Sequence, residues 1–187
     1  MRNRPTFLTL NNPKSIVDVF LEKPKKYMVA LTLAQEVLRE PSALSPQDRE
    51  LIAAFTSKLN KCEYCFGSHK AFTESIDAEQ SDITCVLVED NYSGHRLESI
   101  LNYVKKLTLS PASVEQSDLE AVLSAGFSED ELKDAIAVCA AFNFYNRIVE
   151  GHGIAENADT WPQAAQMINE LGYDRRYDNQ SHLEQVN

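Results

Sequence analysis

The chain has 187 residues, 43% of them hydrophobic and 25% charged, with 18 Lys and Arg against 28 Asp and Glu. This length suits one domain with a sizeable core, and the composition is that of an ordinary soluble globular protein. The net charge of −10 argues against nucleic acid and anionic membrane as partners, because both require a positive face.

No apolar run approaches the ~18 residues needed to span a bilayer, and the N-terminal MRNRPTFLTLNNP has no apolar stretch of secretory length. A cytoplasmic protein is expected. Four cysteines are too few for a disulfide scaffold.

Glycine is scarce, and apolar residues recur with a helical period throughout. Residues 15–23 form a short amphipathic helix ended by Pro24. Residues 26–40 place Met28, Leu31, Leu33, Val37 and Leu38 on one apolar face, and Pro41 stops that helix. The third helix has a strong start: Ser45 caps it, Pro46 takes the first position, and Asp48 completes a capping box. It runs to Leu59 through Leu51, Ile52, Ala54 and Phe55. After a break at Asn60 and Lys61, residues 62–76 form the next helix. Residues 82–90 are rich in β-branched side chains but have no strand to pair with, and are read as a short helix. Further helices cover 93–111, 113–126 with Gly126 just past the end, 127–153 with a Ser128–Glu131 capping box, and 161–172. The expectation is one all-α domain over 1–187, with a core over about 13–173 and a polar tail over 174–187.

The chemistry concentrates in KCEYCFGSHK, residues 61–70. On a helix, Cys62 and Cys65 are three apart and Cys65 and His69 four apart, so all three share a face. A cysteine in a first helical turn feels the unsatisfied N–H groups and the helix dipole. Lowered to a pKa of ~6, it would be about nine-tenths thiolate at neutral pH. If helices 46–59 and 62–76 form an antiparallel hairpin, Glu50 lies about 15 Å back from the turn and His69 about 13 Å forward. That makes them level, and a carboxylate beside an imidazole near a thiol is a recognisable proton relay. Two other readings stand beside the redox pair. Structural zinc would need a fourth ligand, and Cys85, His95, Cys139 and His152 are scattered. Inert helix cysteines are the other, and Cys85 and Cys139 are themselves read as plain core. In the later helix, Phe142, Phe144 and Tyr145 either offer more apolar surface than one helix needs, as for self-association, or are simply core, while Asn143, Asn146 and Arg147 either border the pocket or pack helices.

RELIAAFTSKLNKCEYCFGSH, with its Glu, C-x-x-C and following His, resembles the signature of the carboxymuconolactone decarboxylase and alkylhydroperoxidase D (AhpD-like) superfamily. FNFYNRIVEGHGI (142–154) is similar to a later helix of its peroxidase-related branch. The resemblance implies an AhpD-like helical fold in which a helical hairpin carries the CxxCxxxH motif. It further implies a thiol peroxidase that needs no metal or other cofactor. Cys65 would attack a hydroperoxide, Cys62 would resolve the sulfenate as a disulfide, and His69 and Glu50 would relay protons. A dithiol or protein reductant and a homo-oligomer, trimer or hexamer, are implied as partners. The chain departs from the best-known alkylhydroperoxidase D proteins at Tyr64, where those carry His. Two alternatives share the motif: a thiol–disulfide oxidoreductase, and a non-enzymatic redox-sensing oligomer.

Overall fold

The computed structural model describes residues 4–7, 10, 13–76, 80–89, 91–155 and 157–174. Among them every extended element is an α-helix: α1 (Ile16–Glu22), α2 (Pro24–Leu38), α3 (Pro46–Leu59), α4 (Glu63–Ile76), α5 (Gln80–Leu87), α6 (Glu98–Leu109), α7 (Gln116–Ser124), α8 (Glu129–Gly151) and α9 (Trp161–Leu171). The all-α expectation holds, and within the stretch 82–90 residues 82–87 lie in α5, while residue 90 lies outside the described residues. No helix among the described residues is long and apolar enough to cross a membrane. The tail expected at 174–187 lies outside the described residues, apart from Asp174.

The start signals act as the sequence implies. Ser45 Oγ accepts from Asp48 N at 3.1 Å while Asp48 Oδ2 accepts from Ser45 N at 3.1 Å. Ser128 and Glu131 form the same reciprocal pair at the start of α8. Pro24 does more than end α1. It is the first residue of α2, where its missing N–H would have had no helical acceptor.

Helix α3 is buried along its whole middle, from Asp48 through Ser57, which marks it as the central element. Helices α2, α4, α5, α6 and α8 surround it, and α9 lies against α4. Leu33, expected on the inward face of α2, is instead 41% exposed. The inward face comprises Ala30, Leu31, Ala34 and Leu38, and the small alanines let α8 approach until Tyr145 Oη donates to Ala30 O at 2.5 Å. Cys85, expected in the core, is only half-buried, because the inward positions of α5 are Ile83, Val86 and Leu87. Cys139 is core, as expected.

Gly67, inside α4, sets how closely α9 can approach. A Cβ there would lie 1.9 Å from Trp161 Cη2, so the indole occupies the space a side chain would take. Gly67→Ala is expected to displace the indole and lower Tm, although Ala is the better helix former by ~1 kcal/mol. The check is thermal denaturation with the fluorescence of Trp161, the chain's one tryptophan. A red-shifted emission together with a lower Tm is the expected result.

Candidate active site

The α3–α4 turn explains how Cys62 is held. Lys61 adopts φ 57°, the left-handed conformation, and is the one non-glycine residue among those described with positive φ. Around it Cys62 N donates to Ser57 O at 3.0 Å and Lys61 N to Lys58 O at 2.9 Å. These two bonds are the Schellman pattern of a helix C-terminus, here with lysine in the position that glycine usually fills. The same turn makes Cys62 the residue immediately before α4, with Cys65 in its first turn. Both thiols are free; Cys62 is fully buried and Cys65 is 4% exposed.

The hairpin makes Glu50 and His69 level, as the rise per residue implies. His69 Nδ1 lies 2.6 Å from Glu50 Oε2. The other carboxylate oxygen accepts from Tyr173 Oη at 2.8 Å and lies 2.6 Å from Arg39 Nη2, a charge contact rather than an aligned hydrogen bond. Glu50 has no exposed surface. Burial pushes its carboxyl up, but His69, Arg39 and the Tyr173 hydroxyl outweigh burial and hold it below the usual carboxylate range. With the carboxylate ionised, Nδ1 of a neutral His69 carries the proton and Nε2 holds the basic lone pair. Phe72 and Phe142 meet the imidazole edge-on at 5.1 and 4.5 Å, and the Tyr173 ring stacks at 6.3 Å.

Two members of this cluster, Arg39 and Tyr173, are not among the candidate residues the sequence singles out. Arg39 is the C-terminal cap of α2. Tyr173 follows α9, just before the polar tail expected from 174 onward. Gly172, at φ 72°, turns the chain there, and Tyr173 N donates to Gln35 Oε1 at 2.8 Å. An aromatic residue after a glycine in a polar stretch was the available hint. The Arg39 guanidinium also lies over the Tyr173 ring at 5.1 Å.

The thiols sit in a different setting. Burial pushes Cys65 well above the usual thiol range, the neighbouring Cys62 and the negative charge of Glu150 add to that, and a hydrogen bond from Asn146 opposes it. Desolvation thus works against the neutral-pH thiolate that a first-turn position would favour. Arg4 pairs with Glu150 at 3.3 Å and with Glu63 at 2.9 Å, which brings a cation beside the start of α4. Of the later polar residues, Asn146 is buried, Asn143 is half-buried and Arg147 is exposed. Tyr64 packs half-buried against the core. No cluster of three or more metal-ligating side chains occurs among the described residues.

The sequence profile of the carboxymuconolactone decarboxylase family matches residues 26–90, the stretch from α2 to the end of the α5 region that holds Glu50, both thiols and His69. A crystal structure of an uncharacterized peroxidase-related protein from Silicibacter sp. TM1040 superposes with a TM-score of 0.72. It is 21% identical, over 87% of this chain and 97% of the other. A second, described as an alkylhydroperoxidase AhpD core and uncharacterized peroxidase-related protein from Ralstonia eutropha JMP134, gives 0.70 at 23% identity over 78% of each chain. Residues 26–90 are thus similar to the carboxymuconolactone decarboxylase family, and the chain shares the AhpD-like helical fold of these two structures. No curated protein sequence matches it. Within this AhpD-like fold, the matched segment contributes α2, α3 and α4 to the site, while Asn146 and Tyr173 come from outside it.

Two measurements test these electrostatics. Because Cys65 is held protonated, its rate of alkylation by iodoacetamide is expected to rise about tenfold per pH unit from about 6 to about 9, with no plateau. Peptide mass spectrometry reads this directly, and a plateau near neutrality would contradict it. Glu50→Gln is expected to cost about 3 kcal/mol at neutral pH, because it breaks a buried ion pair from one side. The folded carboxyl titrates below its ordinary value of 4.5, so its stabilisation is complete above that pH and is lost as pH falls through the folded value. Urea unfolding of both proteins should therefore show the difference shrinking below about pH 4.

Proposed function

We propose that the chain is a thiol-dependent peroxidase that reduces hydroperoxides, with Cys65 as attacking thiol, Cys62 as resolving thiol, and the His69–Glu50 pair as proton relay. The observation that supports this reading is a buried cysteine pair on the same hairpin as a carboxylate-held imidazole. Cys65 gives up its proton by way of water to His69 Nε2, while Glu50 stays ionised and stabilises the imidazolium. The thiolate attacks one peroxide oxygen: an S–O bond forms, the O–O bond breaks, and the electron pair leaves on the other oxygen. That oxygen takes the proton from His69 and departs as alcohol or water. Cys62 then attacks the Cys65 sulfenic acid. The S–S bond forms, the S–O bond breaks, and the hydroxide leaves as water with the proton of Cys62. Two electrons have passed from the thiols to the peroxide. An external dithiol restores the pair by exchange and is itself oxidised to a disulfide.

Burial favours small hydroperoxides over a protein dithiol as the first substrate, because an attacking protein thiol would have to reach a sulfur that is 4% exposed. The reading includes a cytoplasmic setting and self-association. The exposed apolar side chains of Val29 and Leu33 on α2 and Phe144 on α8 supply surface for a homo-oligomer.

The test is hydroperoxide consumption with dithiothreitol as reductant. Wild type is expected to turn over and to form a Cys62–Cys65 disulfide after one equivalent of peroxide. Cys65→Ser is expected to fall to background, Cys62→Ser to stop after one turnover as a sulfenate, and Glu50→Gln to slow by about a hundredfold. Equal consumption by wild type and Cys65→Ser would remove the reading.

A further inference from the structure

The two oxygens of the buried Glu50 carboxylate have different partners. Tyr173 Oη lies 2.8 Å from Oε1, and His69 Nδ1 lies 2.6 Å from Oε2. An ionised carboxylate only accepts, so the Tyr173 hydroxyl is the donor. A third group competes for both oxygens. Arg39 Nη2 lies 2.6 Å from Oε1 without alignment, and a guanidinium favours gripping a carboxylate through both oxygens at once. The terminal torsion of a glutamate is broad, so the backbone of α3 does not by itself fix which oxygen faces the imidazole.

Tyr173 is held at its backbone, its ring and its hydroxyl. Gly172 has φ 72° and no room for a side chain, since a Cβ there would overlap Gln35 Oε1. Gln35 Nε2 donates to Glu40 Oε1 at 3.0 Å, which leaves Gln35 Oε1 to accept from Tyr173 N at 2.8 Å. The Arg39 guanidinium lies 5.1 Å from the ring centroid, and the His69 ring stacks at 6.3 Å.

We propose that Tyr173 is a positioning residue of the proton relay: its hydroxyl occupies Glu50 Oε1, so that Oε2 stays on His69 Nδ1 and the imidazole presents Nε2 as the base. This rests on the His69–Glu50 pair being the relay of the peroxidase reading. Tyr173 acts through Glu50 rather than on the thiols. Without the hydroxyl, the carboxylate turns to meet Arg39 with both oxygens, and the imidazole loses the acceptor that fixes its tautomer. A proton on Nε2 then blocks acceptance of the proton from Cys65.

Tyr173→Phe keeps the ring and removes only the hydroxyl. The readout is the His69 tautomer in protein labelled with isotopic histidine, from long-range proton–nitrogen NMR at about pH 9, where an ordinary imidazole is neutral. The His69 signals among the four histidines are those lost in His69→Gln. Wild type is expected to carry the proton on Nδ1. In Tyr173→Phe the tautomer ratio is expected to move about tenfold toward Nε2, the factor that one hydrogen bond to a charged group commonly supplies. Hydroperoxide turnover is expected to fall about tenfold in kcat with KM unchanged. A residue that serves packing alone lowers Tm and leaves the proton on Nδ1. An unchanged tautomer in the folded variant, or a shifted one with full turnover, overturns the proposal. If Tyr173→Phe does not fold, Gln35→Ala decides. It keeps every group that touches Glu50 and frees the backbone that carries the hydroxyl, so a tautomer shift of about threefold is expected and no shift overturns the proposal. The NMR measurement needs no peroxide. A wild type that consumes none would remove the peroxidase reading and leave the tautomer test standing, whereas a native tautomer in folded Tyr173→Phe removes this proposal alone.

Discussion

A carboxylate with no exposed surface, in the second turn of the most buried helix, constrains everything around it. Taking Glu50 out of water costs several kcal/mol unless other groups replace its hydration. The replacements come from three distant parts of the chain: Arg39 after α2, His69 on α4 and Tyr173 after α9. Each approach is itself secured. Gly172 turns the chain so that Tyr173 can enter, and Gln35 holds that turn by accepting from the Tyr173 backbone. The ion pair thus acts as a structural pin as well as a candidate relay, and the end of the described chain closes over it.

The same hairpin keeps two kinds of ionisable group in opposite states. Glu50 is held ionised because cationic and hydroxyl partners outweigh its burial. Cys65, a few residues past the turn, is pushed toward the protonated form by burial, by the neighbouring Cys62 and by the charge of Glu150, against a hydrogen bond from Asn146. Groups whose surroundings push their pKa values apart are the usual mark of a proton donor facing an acceptor. The Lys61 turn puts the two within one hairpin. Its left-handed backbone spends about 1 kcal/mol so that Cys62 can end one helix and precede the next.

Much of this was legible in local patterns. Ser45-Pro46 and Asp48 announce the start of α3, and the break at 60–61 announces the hairpin. Helical rise alone then makes Glu50 level with His69. What local patterns could not show was the balance between competing effects at one atom. A thiol at a helix N-terminus reads as activated, because the dipole is a local property, whereas burial, which pushes Cys65 the other way, depends on how the chain packs. Leu33 was placed inward for a similar reason: its helix has two adjacent apolar stripes, and only the approach of α8 selects the alanine-rich one. The roles of Arg39 and Tyr173 were invisible because each gains its meaning from a partner more than ten residues away.

The sequence by itself determined the helices, their order, and which residue types lie on the reactive face, since capping, periodicity and the i, i+3, i+4 spacing act over a few residues. Only the tertiary structure decided the charge state of the site. Burial and ion pairing depend on which helices meet around Glu50 and Cys65, and that is a property of the packed fold rather than of any one segment.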